Sequence, residues 1–177
     1  MMAGWVNIAN LFTLARLAAI PFAVEAILTG ERMRALVIVL VAGLTDAVDG
    51  ALARRFGMIT RVGAYFDPIV DKLFLSAIYI AMAAITQVPW WLVIEIFTRD
   101  ILILAASGVL LLRGKRRFPP SIWGKASTFL QIALALVVLI QDQAPDPMVW
   151  AVAAVTALSG IHYLLTRATI DGGLARE

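Results

Sequence analysis

Six long apolar runs follow one another along the chain and limit what it can fold into. They lie at about 9–29, 33–54, 65–86, 89–112, 121–141 and 148–167. A helix needs roughly 20 apolar residues to cross the hydrocarbon core of a bilayer, and each run has about that length. The composition agrees, because 62% of the 177 residues are apolar and only 15% are charged. These values exclude a soluble globular protein. They predict an all-α integral membrane protein with six transmembrane helices in a single domain, 1–177.

The connections between the runs predict how the helices are oriented. Lys and Arg are concentrated after the second run, around the connection after the fourth run, and at the C-terminus: Arg54, Arg55 and Arg61, then Arg113, Lys115, Arg116, Arg117 and Lys125, then Arg167 and Arg176. Because cytoplasmic loops carry an excess of Lys and Arg, both termini and these two connections are predicted to face the cytoplasm. Trp90, Trp91 and Trp150 are then expected at the outer interface. A bacterial inner membrane fits a chain of this kind.

Several classes of chemistry are excluded by the residue types that are missing or rare. The chain has no cysteine and a single histidine, His162. Disulfides, thiolate nucleophiles, iron–sulfur clusters and multi-histidine metal sites are therefore excluded. The net charge of +3 is compatible with nucleic-acid binding, but the arginines lie beside apolar runs, where anchoring to the cytoplasmic surface explains them. We expect membrane lipids, and no nucleic acid, as partners.

Four aspartates at the ends of the second and third runs predict the chemistry. Asp46 and Asp49 are three residues apart, and Asp67 and Asp71 are four apart, so each pair shares one face of its helix. The short connection makes the two helices antiparallel neighbours, so both pairs can converge in a polar cleft open to the cytoplasm. Four carboxylates at low dielectric repel one another unless cations intervene, and oxygen ligands favour hard divalent ions. We predict a site for two divalent cations, Mg²⁺ or Mn²⁺.

Small and basic residues stand beside these aspartates. Gly50 and Ala53 continue the face of the first pair, and Gly63 precedes Asp67 by four residues, so small side chains leave room for a ligand. Arg54 places a positive charge roughly 12 Å along the helix from Asp46. Metal ions and an arginine together suit a diphosphate.

These residues form the pattern D-x2-D-G-x2-A-R-x8-G-x3-D-x3-D, which runs from Asp46 to Asp71. The chain thereby resembles the CDP-alcohol phosphatidyltransferases. The resemblance extends to other segments: Asn10-x2-Thr13-x2-Arg16, Asp67-Pro68, Asp71-Lys72 and Gly124-Lys125-x2-Thr128-x2-Gln131. It implies transfer of a phosphatidyl group from CDP-diacylglycerol to an alcohol, with release of CMP.

The same resemblance implies roles for individual residues. The four aspartates would hold the two metal ions, and Asp71 would also act as the general base that takes the proton of the acceptor hydroxyl. The nucleotide and its diphosphate would be bound by Gly50, Ala53, Arg54, Gly63, Asn10 and Thr13. A homodimer is implied as well.

The acceptor alcohol is open between two branches of the family. One branch uses glycerol 3-phosphate and the other uses phosphatidylglycerol to make cardiolipin. The first is our prediction, although Arg99-Asp100 looks more like the second branch. Five basic residues are available to bind an anionic acceptor: Lys72, Arg99, Arg116, Arg117 and Lys125.

Other interpretations stand beside these. The aspartates could form an intramembrane salt-bridge network with Arg54, Arg55, Arg61 or Lys72. Arg99-Asp100 could be an ion pair that fixes helix packing rather than a substrate contact. Arg16 could snorkel to the membrane surface or reach inward to a phosphate, and we favour the inward role. A small cation- or proton-coupled transporter is a remote alternative, because it predicts carboxylates spread over several helices instead of a cluster on two.

Overall fold

The computed structural model describes the backbone over 8–56, 63–112 and 122–173, and the side chains over 13–45, 69–105 and 122–165. Within these ranges the chain forms six α-helices: α1 (Ile8–Leu28), α2 (Arg32–Phe56), α3 (Gly63–Ala84), α4 (Trp90–Leu112), α5 (Ile122–Gln141) and α6 (Asp146–Gly173). Their ends lie within two residues of the predicted apolar runs, except that α6 continues to Gly173, well past position 167. The prediction of an all-helical protein with six helices is confirmed.

The helices α1, α2 and α3, together with Leu139–Asp142, form one compact unit. In this unit α1 packs against both α2 and α3. Many of the buried side chains of α1 and α2 are small: Ala23, Ala26, Ala35 and Ala42. Small residues let two helix backbones approach closely, which is how helices associate in membranes. The larger buried side chains of the unit come mainly from α3: Phe74, Ile78, Tyr79 and Met82.

A glycine at the end of α1 turns the chain into α2. Gly30 has a φ of +77°, a backbone conformation that residues with a Cβ rarely adopt. The N–H of Gly30 donates to the carbonyl of Ile27 at 3.1 Å, and the N–H of Glu31 donates to that of Ala26 at 2.8 Å. This pair of hydrogen bonds is a Schellman motif, which satisfies the last carbonyls of the helix. As a result, α1 and α2 form an antiparallel hairpin.

Contacts around Asp142 fix the relative direction of α1 and α3. Its Oδ1 accepts a hydrogen bond of 2.7 Å from Nε2 of Gln87, which follows α3. Its Oδ2 lies 3.7 Å from Nη1 of Arg32, the first residue of α2. The start of α2 directly follows the end of α1, so α1 and α3 end on the same side of the unit. The two helices therefore run parallel.

The second compact unit contains α4, most of α5 and α6. Here α4 packs against α6. The rings of Trp91 and Trp150, near the two helix starts, have centroids 5.2 Å apart. Further along, Arg99 of α4 bonds Ser159 of α6. The contacts occur in the same order along both helices, first Trp91 with Trp150 and then Arg99 with Ser159, so α4 and α6 run parallel. This direction agrees with the predicted outer position of these tryptophans.

Two helices in the described part are long and apolar enough to cross a membrane, Ile122–Gln141 and Asp146–Leu165. The apolar sequence of the continuous helix α4 contains three charged residues, Glu95, Arg99 and Asp100. The six membrane crossings, the orientation of the termini and the single domain therefore stay predictions.

Candidate active site

The helices carry the predicted motif in the expected register. The helix α2 is continuous through Asp46 and Asp49 to Phe56, and α3 contains both Asp67 and Asp71. The spacings of three and four residues therefore correspond to one helical turn in each pair. The side chains of Asp46, Asp49 and Asp67 lie outside the described residues. The same holds for the side chains of Asn10, Ala53 and Arg54 and for the surroundings of Gly50 and Gly63, and Arg116 and Arg117 lie outside the described backbone as well.

Asp71 is the member of the predicted quartet whose side chain is described. It lies two turns into α3, and its side chain is 43% exposed. Its Oδ1 accepts a hydrogen bond from Nη1 of Arg16 on α1, and the two side chains form an ion pair. A carboxylate in this state is held on one side by protein while the other part of its surface remains accessible. That combination suits a group that must contact a substrate or a metal ion.

The helix α1 contributes two buried polar residues to the same unit. Thr13 is buried, and the side chain of Arg16 is only 5% exposed. They are three residues apart and therefore lie on one face of α1. Arg16 is thus buried instead of snorkelling to the surface, and its expected contact with a phosphate stays a prediction. Sequence reasoning missed its partner, because it paired the aspartates with Arg54, Arg55, Arg61 or Lys72. The available signal was an arginine placed well inside an apolar run.

The residues suggested for acceptor binding are in different environments. Lys72, next to Asp71, is half-buried, and Lys125 near the start of α5 is exposed. Arg99 is buried in the second unit. Its Nη1 donates to Oδ1 of Asp100 at 2.7 Å, and its Nη2 donates to Oγ of Ser159 at 2.6 Å. Two guanidinium nitrogens of Arg99 are thus engaged by the protein itself, which favours the packing interpretation of this pair.

A second polar cluster holds α5 and α6 together. The hydroxyls of Ser127 and Thr156 are 3.0 Å apart, and both are fully buried. Nε2 of Gln131 donates to the Ser127 hydroxyl at 3.1 Å and lies 3.4 Å from that of Thr156. Buried hydroxyl and amide groups need such partners, since an unpaired one costs about 1–3 kcal/mol. The position of Gln131 in the family-like segment is therefore explained by packing.

The donor chemistry of the site fits divalent cations. Among the described side chains no group of three or more His, Asp or Glu residues that could hold a metal comes together. Asp71 provides carboxylate oxygens, the ligand that Mg²⁺ and Mn²⁺ prefer. The other three predicted ligands are aspartates at one-turn spacing on helices that the structure shows to be continuous. The residues present are therefore compatible with the metal ions.

Comparison with known proteins decides the family. The sequence profile of the CDP-alcohol phosphatidyltransferases matches residues 6–162. The chain belongs to this family. Its members are membrane-bound phosphatidyltransferases that depend on divalent metal ions. The membership therefore does not support the remote alternative of a cation- or proton-coupled transporter.

Individual relatives carry two kinds of name. A Mycobacterium tuberculosis protein named "Probable phosphatidylglycerophosphate synthase" is 34% identical over 97% of this chain and 86% of its own length. A Rickettsia bellii protein named CDP-diacylglycerol–glycerol-3-phosphate 3-phosphatidyltransferase is 30% identical over 89% of this chain and 93% of its own. A CMP-forming cardiolipin synthase of Streptomyces coelicolor is 32% identical over 75% of this chain and 65% of its own.

Proposed function

We propose that this phosphatidyltransferase transfers the phosphatidyl group of CDP-diacylglycerol to the hydroxyl of glycerol 3-phosphate. The products are phosphatidylglycerophosphate and CMP. The observation that carries the proposal is the similarity to proteins with this activity in their names over 89–97% of the chain. The complete motif on two continuous helices supports the same chemistry.

Asp71 is the catalytic residue in this proposal. Its carboxylate accepts the proton of the acceptor hydroxyl as the oxygen attacks the β-phosphorus, and CMP leaves on the opposite side. The half-exposed position of Asp71 supports a direct contact with substrate. Together with Asp46, Asp49 and Asp67, it would hold two divalent cations, Mg²⁺ or Mn²⁺. When bound, these ions supply positive charge that stabilises the attacking and leaving oxygens.

The nucleotide and diphosphate are assigned to residues on α1, α2 and α3. Gly50, Ala53 and Gly63 give the liponucleotide room to approach the helices, and Arg54 offsets phosphate charge. Asn10 and Thr13 line the cavity from α1. The buried position of Thr13, on the same face of α1 as Arg16, supports this part of the assignment.

The enzyme acts as an integral membrane protein with six spanning helices and both termini in the cytoplasm. The exposed faces of α5 and α6 support a membrane environment, because they carry large apolar side chains, including Ile122, Phe129, Trp150 and Leu165. Soluble monomers rarely expose large contiguous apolar patches. The basic residues after α2 and α4 support an active site on the cytoplasmic side of a bacterial inner membrane. A homodimer belongs to the same proposal by family resemblance.

Lys72 and Lys125, with Arg116 and Arg117, are proposed to attract the anionic acceptor. The sequence predicts that Arg99 joins them, but its pairing with Asp100 and Ser159 supports a packing role instead. Cardiolipin synthesis from phosphatidylglycerol is the second candidate function. It is favoured by relatives with that name, although the Streptomyces coelicolor protein aligns over a smaller share of the chain, 75%.

An acceptor competition tests the proposal. Purified protein in detergent is given CDP-diacylglycerol, Mg²⁺ and either glycerol 3-phosphate or phosphatidylglycerol, and CMP release is measured. We expect faster release with glycerol 3-phosphate, and a loss of about 10²–10⁴-fold in the Asp71→Asn variant, which cannot act as the base. Faster release with phosphatidylglycerol would replace the proposal by cardiolipin synthesis. Absence of CMP with both acceptors would refute both functions.

A further inference from the structure

Arg16 stands out among the described residues of the first unit as a buried cation. Its side chain is 5% exposed, inside a helix that packs against two others. Burying a guanidinium among apolar side chains is costly unless it is paired. Its partner Asp71 comes from α3, 55 residues away along the chain. The pair thus links α1 to the helix that carries the proposed catalytic base.

The Arg16–Asp71 pair lies about two turns from the start of each of its two helices. Arg16 is eight residues after the start of α1 at Ile8, and Asp71 is eight residues after the start of α3 at Gly63. Because α1 and α3 run parallel, Thr13 on α1 and Asp67 on α3 lie on the same side of the pair, each about one turn from it. The guanidinium of Arg16 therefore lies at the level of Asp71, about one turn from the position of Asp67 along α3.

The two partners differ in their access to the surroundings. Asp71 is 43% exposed and Arg16 is 5% exposed, so the guanidinium lies behind the carboxylate as seen from outside the unit. An exposed ion pair would hold its partners weakly, because both side chains move in water. A buried guanidinium is fixed by its packing, so it can restrict the rotamer of the carboxylate in front of it.

We infer that Arg16 is a positioning residue for Asp71. It fixes the direction of the Asp71 carboxylate by a charge-assisted hydrogen bond to Oδ1, so that the carboxylate is oriented before substrate and metal ions bind. This inference rests on the proposed function, in which Asp71 is the base and a metal ligand.

The test compares three variants of the full-length protein. Arg16→Met removes the hydrogen bond and the charge, and Arg16→Lys keeps the charge without the planar guanidinium. The matched control is Arg34→Met, because Arg34 also forms ion pairs, with Glu25 and Glu31, but is exposed and distant from the motif along α2. CMP release is measured well below the melting temperature of each variant and is normalised to protein that binds CDP-diacylglycerol.

We expect Arg16→Met to lower kcat about 100-fold, the scale of a misplaced catalytic group. At saturating Mg²⁺, the KM values for both substrates should stay within about threefold, since substrate binding is not removed. Arg16→Lys should recover about tenfold of the loss, because the charge is retained. The Arg34→Met control should keep the wild-type kcat. A wild-type kcat in Arg16→Met, or a loss that disappears on normalisation, would overturn the inference and leave Arg16 as a helix-packing residue.

A binding measurement separates this inference from the proposed function. Mn²⁺ alone should raise the melting temperature of the wild-type protein by binding the folded state. We expect this rise to shrink by more than half in Arg16→Met, as in Asp71→Asn, and to persist in Arg34→Met. An unchanged rise in Arg16→Met would overturn the inference even if kcat falls. If the wild-type protein releases no CMP with either acceptor, the proposed function fails, while the Mn²⁺ measurement still tests the Arg16–Asp71 link.

Discussion

A quantitative test can decide whether the Arg99–Asp100 pair on α4 stabilises helix packing or binds the acceptor. The Asp100→Asn substitution removes the negative charge but keeps an oxygen at nearly the same position. In the structure Asp100 Oδ1 accepts from Arg99 at 2.7 Å, and the side chains of Arg99 and Asp100 are 8% and 14% exposed. The variant therefore leaves a buried guanidinium without its counter-charge.

The expected magnitude follows from this geometry. Removing one partner of a buried ion pair costs about 3–5 kcal/mol. Asparagine still accepts a hydrogen bond, and Ser159 still accepts from Nη2 at 2.6 Å, so we expect a smaller loss, about 2–3 kcal/mol. For a chain of this size, that loss lowers the melting temperature by about 4–12 °C.

Thermal denaturation in detergent measures this loss, and CMP release at low temperature measures the KM for glycerol 3-phosphate. Thr98→Val is a matched control on the same helix. The exposed Thr98 hydroxyl donates to the Ile94 carbonyl of the same helix at 2.7 Å. If Arg99–Asp100 is a packing pair, Asp100→Asn lowers the melting temperature and leaves KM unchanged, while Thr98→Val changes neither. An unchanged melting temperature together with a raised KM would refute the packing argument and assign Arg99 to the acceptor.

Two further predictions concern metal dependence and the α1–α2 turn. Chelation of divalent ions should abolish CMP release, and added Mg²⁺ or Mn²⁺ should restore it, because the four carboxylates need cations to converge; turnover that resists chelators would contradict the two-metal proposal. Gly30→Ala should destabilise the fold by about 1 kcal/mol, since φ at Gly30 is +77°, whereas Gly43→Ala inside α2 should stabilise it by up to about 1 kcal/mol, because nothing lies within 4 Å of the added Cβ. Equal shifts in melting temperature for the two glycine variants would show that backbone conformation does not control this turn.

The helices could be predicted from the sequence because their signals are local. Each apolar run ends at residues that stop a helix, such as Thr29-Gly30-Glu31, and the structure ends α1 and starts α2 there. The motif was equally accessible, since its spacing depends only on helical periodicity. The longer α6 was not predicted, because its last turns after Arg167 contain polar residues, and apolar periodicity does not detect a helix that continues beyond its apolar segment.

The partner of Asp71 could not be predicted in the same way. Sequence spacing places Arg54, Arg55, Arg61 and Lys72 near the aspartates and therefore favours these residues as partners. Arg16 reaches Asp71 because α1 packs on α3 and is rotated so that Arg16 faces inward. Both facts depend on tertiary packing, for which the spacing of residues in one helix contains no information.

Among the described side chains, two buried arginines are paired with aspartates of different exposure. Arg16 and Arg99 are equally buried, at 5% and 7% exposed, and each is paired with an aspartate. Their partners differ, because the Asp71 side chain is 43% exposed and that of Asp100 is 14% exposed. A general base must come within hydrogen-bonding distance of a substrate hydroxyl, so it needs accessible surface that a purely packing carboxylate does not. By this criterion the exposed surface of Asp71 is consistent with the role proposed for it, whereas Asp100 has little exposed surface and is paired with Arg99.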